Sequence, residues 1–227
     1  MNDLHYSDFG PAVIQRLLYQ LNKQCLNFVH KNRISHNVIF TNYIENPYKY
    51  PFDDESVDIV VANSIFEHSE FFWELFLELI RILKPSGILY INAPSNGDFH
   101  RGAFDQDILV DVFRFYPDSG KALQKWGVKN GYNDLILLES YTFKKRTKNW
   151  NDFVAIYLKD KNYLQMYKNR IIDKTNHFYN GYSYEKDGIV NFQVLTEDHI
   201  FLVKKQYFKR IKNYLIFVYK NIRIFLG

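Results

Sequence analysis

The sequence is poor in cysteine, glycine and proline. Cys25 is the single cysteine in 227 residues, which excludes an internal disulfide and leaves any zinc site without thiolate partners. Its 10 glycines and 6 prolines are too few for a collagen-like or linker-rich chain. The chain is long enough to bury a substantial core, and its composition is that of an ordinary globular protein.

Long apolar runs are also absent. No run reaches the ~18 residues that a helix needs to span a bilayer. The first ten residues, MNDLHYSDFG, include acidic side chains and lack the apolar segment of a signal peptide. We therefore expect the chain to be cytoplasmic and to work in a reducing compartment.

Acidic residues are missing from the C-terminal tail. Between His199 and Gly227 there is no Asp or Glu, and there are seven basic residues: Lys204, Lys205, Lys209, Arg210, Lys212, Lys220 and Arg223. Subtracting these seven from the 29 basic residues leaves 22 against 25 acidic residues, a net charge of −3 before the tail. An anionic partner is therefore expected at the C-terminus and not along the whole chain.

The tail also has helical periodicity. Thr196 is a suitable N-cap, and apolar residues from Ile200 to Phe225 recur at spacings of three and four. The pattern predicts a long basic amphipathic helix, which we interpret as a peripheral contact of residues 197–226 with an anionic membrane surface or with protein. No nucleic-acid partner is expected, because no recognised binding motif accompanies the charge.

Apolar patterns predict a strand–helix–strand unit in the middle of the chain. Val57 to Ala62 is a nearly continuous apolar run, typical of a strand covered on both faces. Residues 70–83 have a helical period, with Glu74 and Glu78 on the polar face. The segment ILYINAP then predicts a second strand, joined to the first by a right-handed crossover.

Further elements are predicted on both sides of this unit. Residues 10–31 have the pattern of a helix, and HNVIFTNYI that of a short strand. A helix is expected near Lys121 to Lys129. The segments DLILLESYTF and DFVAIYLK predict an antiparallel hairpin at the edge of the sheet.

Together these elements predict two parts. Residues 1–160 are expected to form an α/β domain with a Rossmann-like, mostly parallel sheet that ends in the antiparallel hairpin. Residues 161–227 are expected to form a helical C-terminal extension that includes the basic helix.

The middle of the chain resembles a known family. The stretch YPFDDESVDIVVANSIFEHSEFFWELFLELIRILKPSGILYINAPS is similar to class I S-adenosylmethionine-dependent methyltransferases of the type 11 group. The matching residues are Pro51, Phe52, Asp58, Glu67, His68, Arg81, Leu83, Lys84, Pro85 and Gly87. The resemblance runs roughly from Glu45 to Lys159, and it implies the same fold, S-adenosylmethionine as cofactor and methyl transfer as activity.

Three later segments refine what the resemblance implies. SNGDFHR, RFYPDSGKAL and NDFVAIYLK resemble a subset of these proteins that is often found with surface-polysaccharide genes. This implies a small or glycan-linked acceptor and a place in polysaccharide biosynthesis.

The N-terminal part departs from the family pattern. These enzymes begin with a strand that ends in a Gly-rich turn, where only glycine lets the backbone approach the cofactor closely. Before Pro51 this sequence has one glycine, Gly10, and no clear counterpart of the acidic residue that grips the ribose. We therefore expect the domain to be N-terminally incomplete or divergent, and the alternative hypothesis is a catalytically inactive relative that only binds.

Candidate cofactor residues follow the predicted strands. Ligands of open α/β sheets bind outside the carboxyl ends of the strands. Asn63 and Ser64 lie at such an end and are predicted to line the cofactor pocket, or alternatively to satisfy the last backbone groups of the strand. Glu45 and Asn46 stand where the family has a residue near the adenine, although Asn46 before Pro47 is also good turn chemistry.

Candidate catalytic residues come from the loops. His68 could act as a general base or position the acceptor, or it could cap the helix that follows. His100, Arg101 and Arg114 are predicted to hold a polar acceptor; the alternative is a solvated loop with a structural Arg114–Asp118 pair. No metal site is predicted, because the seven histidines are scattered along the sequence.

Overall fold

The computed structural model describes residues 48–97, 99–100, 110–144, 151–193 and 206–219 with their side chains, and the backbone of four short strands outside these ranges. The strands are β1 (Cys25–Phe28), β2 (Val38–Phe40), β3 (Val57–Asn63), β4 (Leu83–Pro94), β5 (Gly102–Phe104), β6 (Asp107–Leu109), β7 (Ile136–Phe143), β8 (Asp152–Leu158) and β9 (Phe178–Ser183). The helices are α1 (Phe72–Ile82) and α2 (Pro117–Lys129), with 3₁₀ turns at Phe66–His68, Lys161–Met166 and Ile171–Asp173.

Seven of these strands form one mixed sheet. Their order is β2-β1-β3-β4-β8-β7-β9. The pairs from β2 to β4 are parallel, and β8, β7 and β9 are added antiparallel. β5 and β6 form a separate two-stranded ribbon. The structure therefore confirms a Rossmann-like α/β sheet in which the predicted hairpin, β7 and β8, runs antiparallel to the strands before it.

The β3–α1–β4 unit has the predicted order. The helical pattern over residues 70–83 becomes α1, whose Leu75, Phe76 and Leu79 are fully buried against the sheet. Glu78, predicted on the polar face, is buried instead: its carboxylate accepts hydrogen bonds from the Tyr50 amide and from Arg81. Because the Arg81 guanidinium and a backbone amide bind it, this carboxylate tolerates burial.

The helix predicted over residues 10–31 is wrong for its last part. Cys25–Phe28 is a strand, β1, which pairs with β2 on one side and β3 on the other. A short apolar run such as CLNF has no clear period, so backbone pairing with two neighbours decides its conformation. Residues 10–24 lie outside the described part of the chain. β2 falls inside the predicted strand HNVIFTNYI.

In the second half of the chain, two observed boundaries differ from the predicted ones: the start of α2 and the point where the chain divides into two units. α2 begins at Pro117, before the predicted Lys121, because proline is favoured in the first turn of a helix. Gly131 follows the helix with φ of +98°, a conformation that glycine adopts without strain. β9 pairs with β7, so residues 161–191 belong to the unit of the sheet, and the chain divides after Asn191 and not after residue 160.

The C-terminal unit comprises residues 192–227. Residues 206–219 are helical, and the large apolar side chains Tyr207, Phe208, Tyr214, Leu215, Phe217 and Tyr219 are each at least 60% exposed. Thr196 and both ends of the predicted helix lie outside the described residues. Among the described helices, none has the length and hydropathy needed to cross a bilayer.

Candidate functional site

The carboxyl ends of β3 and β4 lie side by side and form the edge where a ligand is expected. Asn63 and Asn92 are partners in the β3–β4 register, and the Asn92 amide donates a hydrogen bond of 2.6 Å to the Asn63 side-chain oxygen. The Asn63 side chain therefore pairs with its neighbouring strand and does not serve the last backbone groups of β3.

Ser64 adopts an uncommon backbone conformation at this edge. Its φ is +52°, a left-handed value that costs a non-glycine residue energy. Its amide donates to the Asn92 carbonyl at 2.8 Å, and its side chain is exposed. The chain thus turns sharply out of the sheet directly before the 3₁₀ turn that carries Glu67 and His68.

The segment 110–116 crosses the ends of both strands. The Val112 and Phe113 amides donate to the Glu67 carbonyl at 2.8 and 3.4 Å, and the Phe115 amide donates to the Pro94 carbonyl at 3.0 Å. Phe115 is buried and stacks on Phe153 with ring centroids 5.8 Å apart. Backbone pairing and aromatic packing together hold this segment over the sheet edge.

Five side chains meet where this segment passes the 3₁₀ turn, and we call them the histidine cluster: Glu67, His68, His100, Asp111 and Arg114. His68 is buried, and its Nδ1 donates to the Val110 carbonyl at 2.5 Å. This bond fixes the tautomer with the proton on Nδ1. The rings of His68 and His100 stand edge to face with centroids 5.0 Å apart, and His68 Nε2 is 3.8 Å from Glu67 Oε1.

Because its side chain turns to Val110, His68 does not cap α1. The N-cap of that helix is Phe71, which makes no side-chain capping bond. The alternative interpretation of His68 as a helix cap is therefore wrong.

Asp111 organises the other side of the histidine cluster. Its carboxylate accepts two hydrogen bonds from the Arg114 guanidinium, at 2.5 and 2.8 Å, and one from the His100 amide at 2.7 Å. The Arg114 hydrogen bonds lower the pKa of Asp111 to about 2. The predicted alternative, an Arg114–Asp118 pair, is wrong: Arg114 binds Asp111, and Asp118 lies 3.7 Å from Lys121.

Glu67 is the most unusual member of the histidine cluster. It is 1% exposed, and among the described residues its Oε2 has no hydrogen-bond partner. Burial raises the pKa of Glu67 to about 8, against the smaller opposing effects of a backbone hydrogen bond and the charge of Arg114. Native proteins seldom leave such a buried oxygen unpaired, so Glu67 is a candidate binding residue.

The structure thus brings together three of the predicted catalytic residues, His68, His100 and Arg114. Asn63 and Ser64 lie at the adjoining strand end, as the sequence pattern predicts. Glu45, Asn46 and Arg101 are outside the described residues, so their roles stay predictions.

Sequence reasoning missed Glu67 and Asp111 as members of the site. Asp111 could have been found from its spacing of three residues to Arg114, which suits an ion pair. Glu67 was matched to the family pattern, but its burial and its unpaired oxygen depend on the fold around it.

Comparison with known proteins identifies one family whose model matches part of the chain. Residues 12–91 match the model of a family described as a methyltransferase domain. This part of the chain is similar to methyltransferase domains. The match starts well before Glu45, where the resemblance in the sequence begins, and it includes β1, β2, β3 and most of β4. No curated protein matches the chain.

Several solved structures are similar to this chain. The [4+2]-cyclase SpnF is 13% identical, with 56% of this chain and 58% of SpnF covered and a TM-score of 0.38. This chain therefore spans little more than half of that neighbour. A putative methyltransferase of Haloferax volcanii, solved with its activator Trm112, is 14% identical, with 66% and 78% covered and a TM-score of 0.44.

A third similar structure contains a bound product of methyl transfer. It is the 1,6-didemethyltoxoflavin-N1-methyltransferase of Burkholderia thailandensis, with 1,6-didemethyltoxoflavin and S-adenosylhomocysteine. It is 13% identical, with 63% of this chain and 74% of the neighbour covered and a TM-score of 0.43. At these identities and TM-scores, none of the three structures assigns an activity or an acceptor to this chain.

Proposed function

We propose that this protein transfers a methyl group from S-adenosylmethionine to a small or glycan-linked acceptor. The observation that carries the proposal is the histidine cluster near the carboxyl ends of β3 and β4. Two of its members, Glu67 and His68, lie inside the segment that matches a methyltransferase domain. A ring nitrogen, a guanidinium and a strained strand end meet there, which is the edge where α/β sheets bind ligands.

Methyl transfer requires mainly that the methyl donor and the acceptor are aligned. An acceptor oxygen or nitrogen attacks the methyl carbon, the carbon–sulfur bond breaks, and its electrons stay on sulfur to give S-adenosylhomocysteine. The protein holds donor and acceptor in line, and the acceptor proton leaves to a base. In this scheme His68 assists the acceptor, His100, Arg101 and Arg114 hold its polar groups, and Asn63, Ser64, Glu45 and Asn46 line the cofactor pocket.

Arg114 is suited to this task by its position. Asp111 binds two of its nitrogens and fixes the guanidinium plane at the surface of the site, with 22% of the side chain exposed. Its positive charge favours an acceptor that carries a carboxylate or a phosphate, as many glycan precursors do. The similarity of the segments around it to proteins found with surface-polysaccharide genes supports the same acceptor class.

The experiment that tests the proposal is calorimetry of the full-length protein with S-adenosylmethionine and, separately, with S-adenosylhomocysteine. Binding at micromolar concentration supports the enzyme. No heat with millimolar ligand overturns it for this chain. A methyl-labelled donor, incubated with soluble sugars and polysaccharide fragments, then searches for the acceptor, and the His68→Gln variant should bind the donor but transfer at least about 100-fold more slowly.

A specific observation favours a second candidate, a methyltransferase-like protein that binds without transferring. The seven residues after β1, VHKNRIS, contain no glycine. In the family the Gly-rich turn follows the first strand. Calorimetry separates the two candidates, because the binding protein is expected to give no heat with the donor.

The C-terminal helix supports a proposal about location. Residues 206–219 expose large aromatic side chains together with Lys209, Arg210 and Lys212. We propose that this surface binds an anionic membrane surface, since aromatic residues favour the headgroup level and lysines attract anionic lipids. Changing the three basic residues to Gln should abolish co-sedimentation with anionic vesicles, whereas Lys125→Gln with Lys129→Gln in α2 should not. Equal sedimentation would contradict the proposal.

A further inference from the structure

The histidine cluster has the composition of a metal site. Glu67, His68 and His100 each place one potential ligand atom within 4.8 Å of the other two. The three side chains come from two separate loops, after β3 and after β4, which the segment 110–116 ties together. Two imidazoles and one carboxylate are a common ligand set for zinc and other divalent first-row transition metals.

The distances are close to those of a bound site. Nitrogen and oxygen ligands lie about 2.0 to 2.2 Å from such an ion, so neighbouring ligand atoms are about 3.0 to 3.5 Å apart. His68 Nε2 and Glu67 Oε1 are 3.8 Å apart, and the candidate ligand atoms of the three side chains all lie within 4.8 Å of one another. The His68–Glu67 separation is thus slightly larger than the spacing of ligand atoms around a bound ion.

The surroundings orient the histidines as ligands. A ligating histidine usually donates its other ring N–H to a backbone carbonyl or a carboxylate. His68 donates Nδ1–H to the Val110 carbonyl, which directs Nε2 toward Glu67. On the other side of the set, His100 Nδ1 lies 3.3 Å from Oδ2 of Asp111, a carboxylate that is 1% exposed.

The unpaired oxygen of Glu67 is the second, independent observation. Oε2 is buried and has no hydrogen-bond partner among the described residues. The nearby guanidinium of Arg114 is engaged by both oxygens of Asp111. A buried carboxyl oxygen of this kind needs a compensating partner, and a cation supplies one.

We propose that Glu67, His68 and His100 bind a divalent transition-metal ion of the zinc type, with at least one coordination position left for water or a ligand. The proposal concerns binding of the ion and stands whether or not the chain transfers methyl groups. If it does, and here the inference rests on the proposed function, the ion holds an oxygen of the acceptor and His68 acts through it.

The test uses the full-length protein after removal of metals with a chelator. Co²⁺ is titrated and followed by its visible absorption, and Zn²⁺ is titrated by calorimetry. We expect one ion per chain at micromolar concentration. Glu67→Gln and His100→Asn should each weaken binding at least about 100-fold, because loss of a ligand exceeds the 10- to 100-fold effect of losing an outer partner. His177→Asn, at an exposed histidine outside the cluster, should bind as the wild type does.

Two results would overturn the proposal: no absorption change with millimolar Co²⁺, or equal binding by wild type, Glu67→Gln and His100→Asn, which would place the ion on other residues. His100 is one-third exposed, so His100→Asn keeps the test valid if Glu67→Gln fails to fold. Calorimetry with S-adenosylhomocysteine on the same samples separates the outcomes. Donor binding without metal binding rejects the ion alone, and metal binding without donor binding rejects the proposed function alone.

Discussion

Glu67 and Glu139 are both buried carboxylates, and they differ in how their oxygens are paired. They are 1% and 2% exposed, and burial raises the pKa of each. The Ile171 and Ile172 amides donate to the two oxygens of Glu139 at 3.0 and 3.1 Å. Among the described residues, Glu67 Oε2 receives no hydrogen bond.

The difference separates a structural from a functional use of a buried carboxyl group. Glu139 satisfies the first amides of the 3₁₀ turn Ile171–Asp173 and fastens that turn to β7. Every oxygen it buries is used by the protein itself. Glu67 is buried by the same kind of packing, but among the described residues one of its oxygens has no hydrogen-bond partner and can accept a bond from a ligand.

The largest effect on stability is expected from a substitution of Glu139. In Glu139→Gln the side-chain NH₂ faces an amide that it cannot accept from, so one buried donor loses its partner. We expect the free energy of unfolding to fall by about 2 to 3 kcal/mol. The same substitution at Glu67 should change it by less than about 1 kcal/mol. Urea unfolding of both variants at pH 7 makes the measurement, and equal losses would contradict the distinction.

The second-largest effect on stability is expected from breaking the Asp111–Arg114 ion pair in the histidine cluster. Asp111→Asn removes the charge that binds Arg114 and should lower the free energy of unfolding by about 2 kcal/mol, since a partly buried cation loses its partner. The matched control is Asp118→Asn. That carboxylate is 85% exposed and 3.7 Å from Lys121, so its loss should change stability by less than about 0.5 kcal/mol. A similar effect of both variants would mean that the Asp111 pair is no stronger than a surface pair.

Much of the fold could be predicted because its signals are local. The apolar run of β3 and the helical period of α1 can be read directly from the sequence, and they place Asn63 and His68 at the end of a strand. β1 could not be predicted in this way, since its four residues become a strand only by pairing with β2 and β3.

The candidate site could be predicted only in part, because its contacts join residues that are distant in the sequence. The residue types of His68, His100 and Arg114 already suggest chemistry. Their contacts depend on the segment 110–116, whose path follows from backbone hydrogen bonds to Glu67 and Pro94. The hydrogen bond that fixes the His68 tautomer is donated to the backbone carbonyl of Val110. Because every residue type has this carbonyl, the sequence does not indicate the bond.

A smaller effect should appear in the pH dependence of stability. Desolvation raises the pKa of Glu139 above its ordinary value of 4.5, although two backbone hydrogen bonds lower it. A raised pKa in the folded state means that the contribution of Glu139 is greatest below pH 4.5 and declines as the pH rises through the folded pKa. The stability difference between wild type and Glu139→Gln should therefore narrow from pH 4 to pH 7, by at most about 1.4 kcal/mol per pH unit. A difference that widens would show that the two hydrogen bonds outweigh burial.

The smallest effect on stability is expected at the carboxyl end of β3. There the affinity for a ligand provides a second measurement. Asn63→Ala removes the acceptor of the Asn92 amide at a partly exposed position, so unfolding should change by no more than about 1 kcal/mol. If Asn63 lines the cofactor pocket, the affinity for S-adenosylhomocysteine should fall about tenfold, equivalent to about 1.4 kcal/mol. Asn130→Ala, at the end of α2, removes a comparable exposed hydrogen bond away from the strand ends and should leave the affinity unchanged. Equal affinities of the two variants would mean that Asn63 only joins β3 to β4, as Glu139 joins its turn to β7.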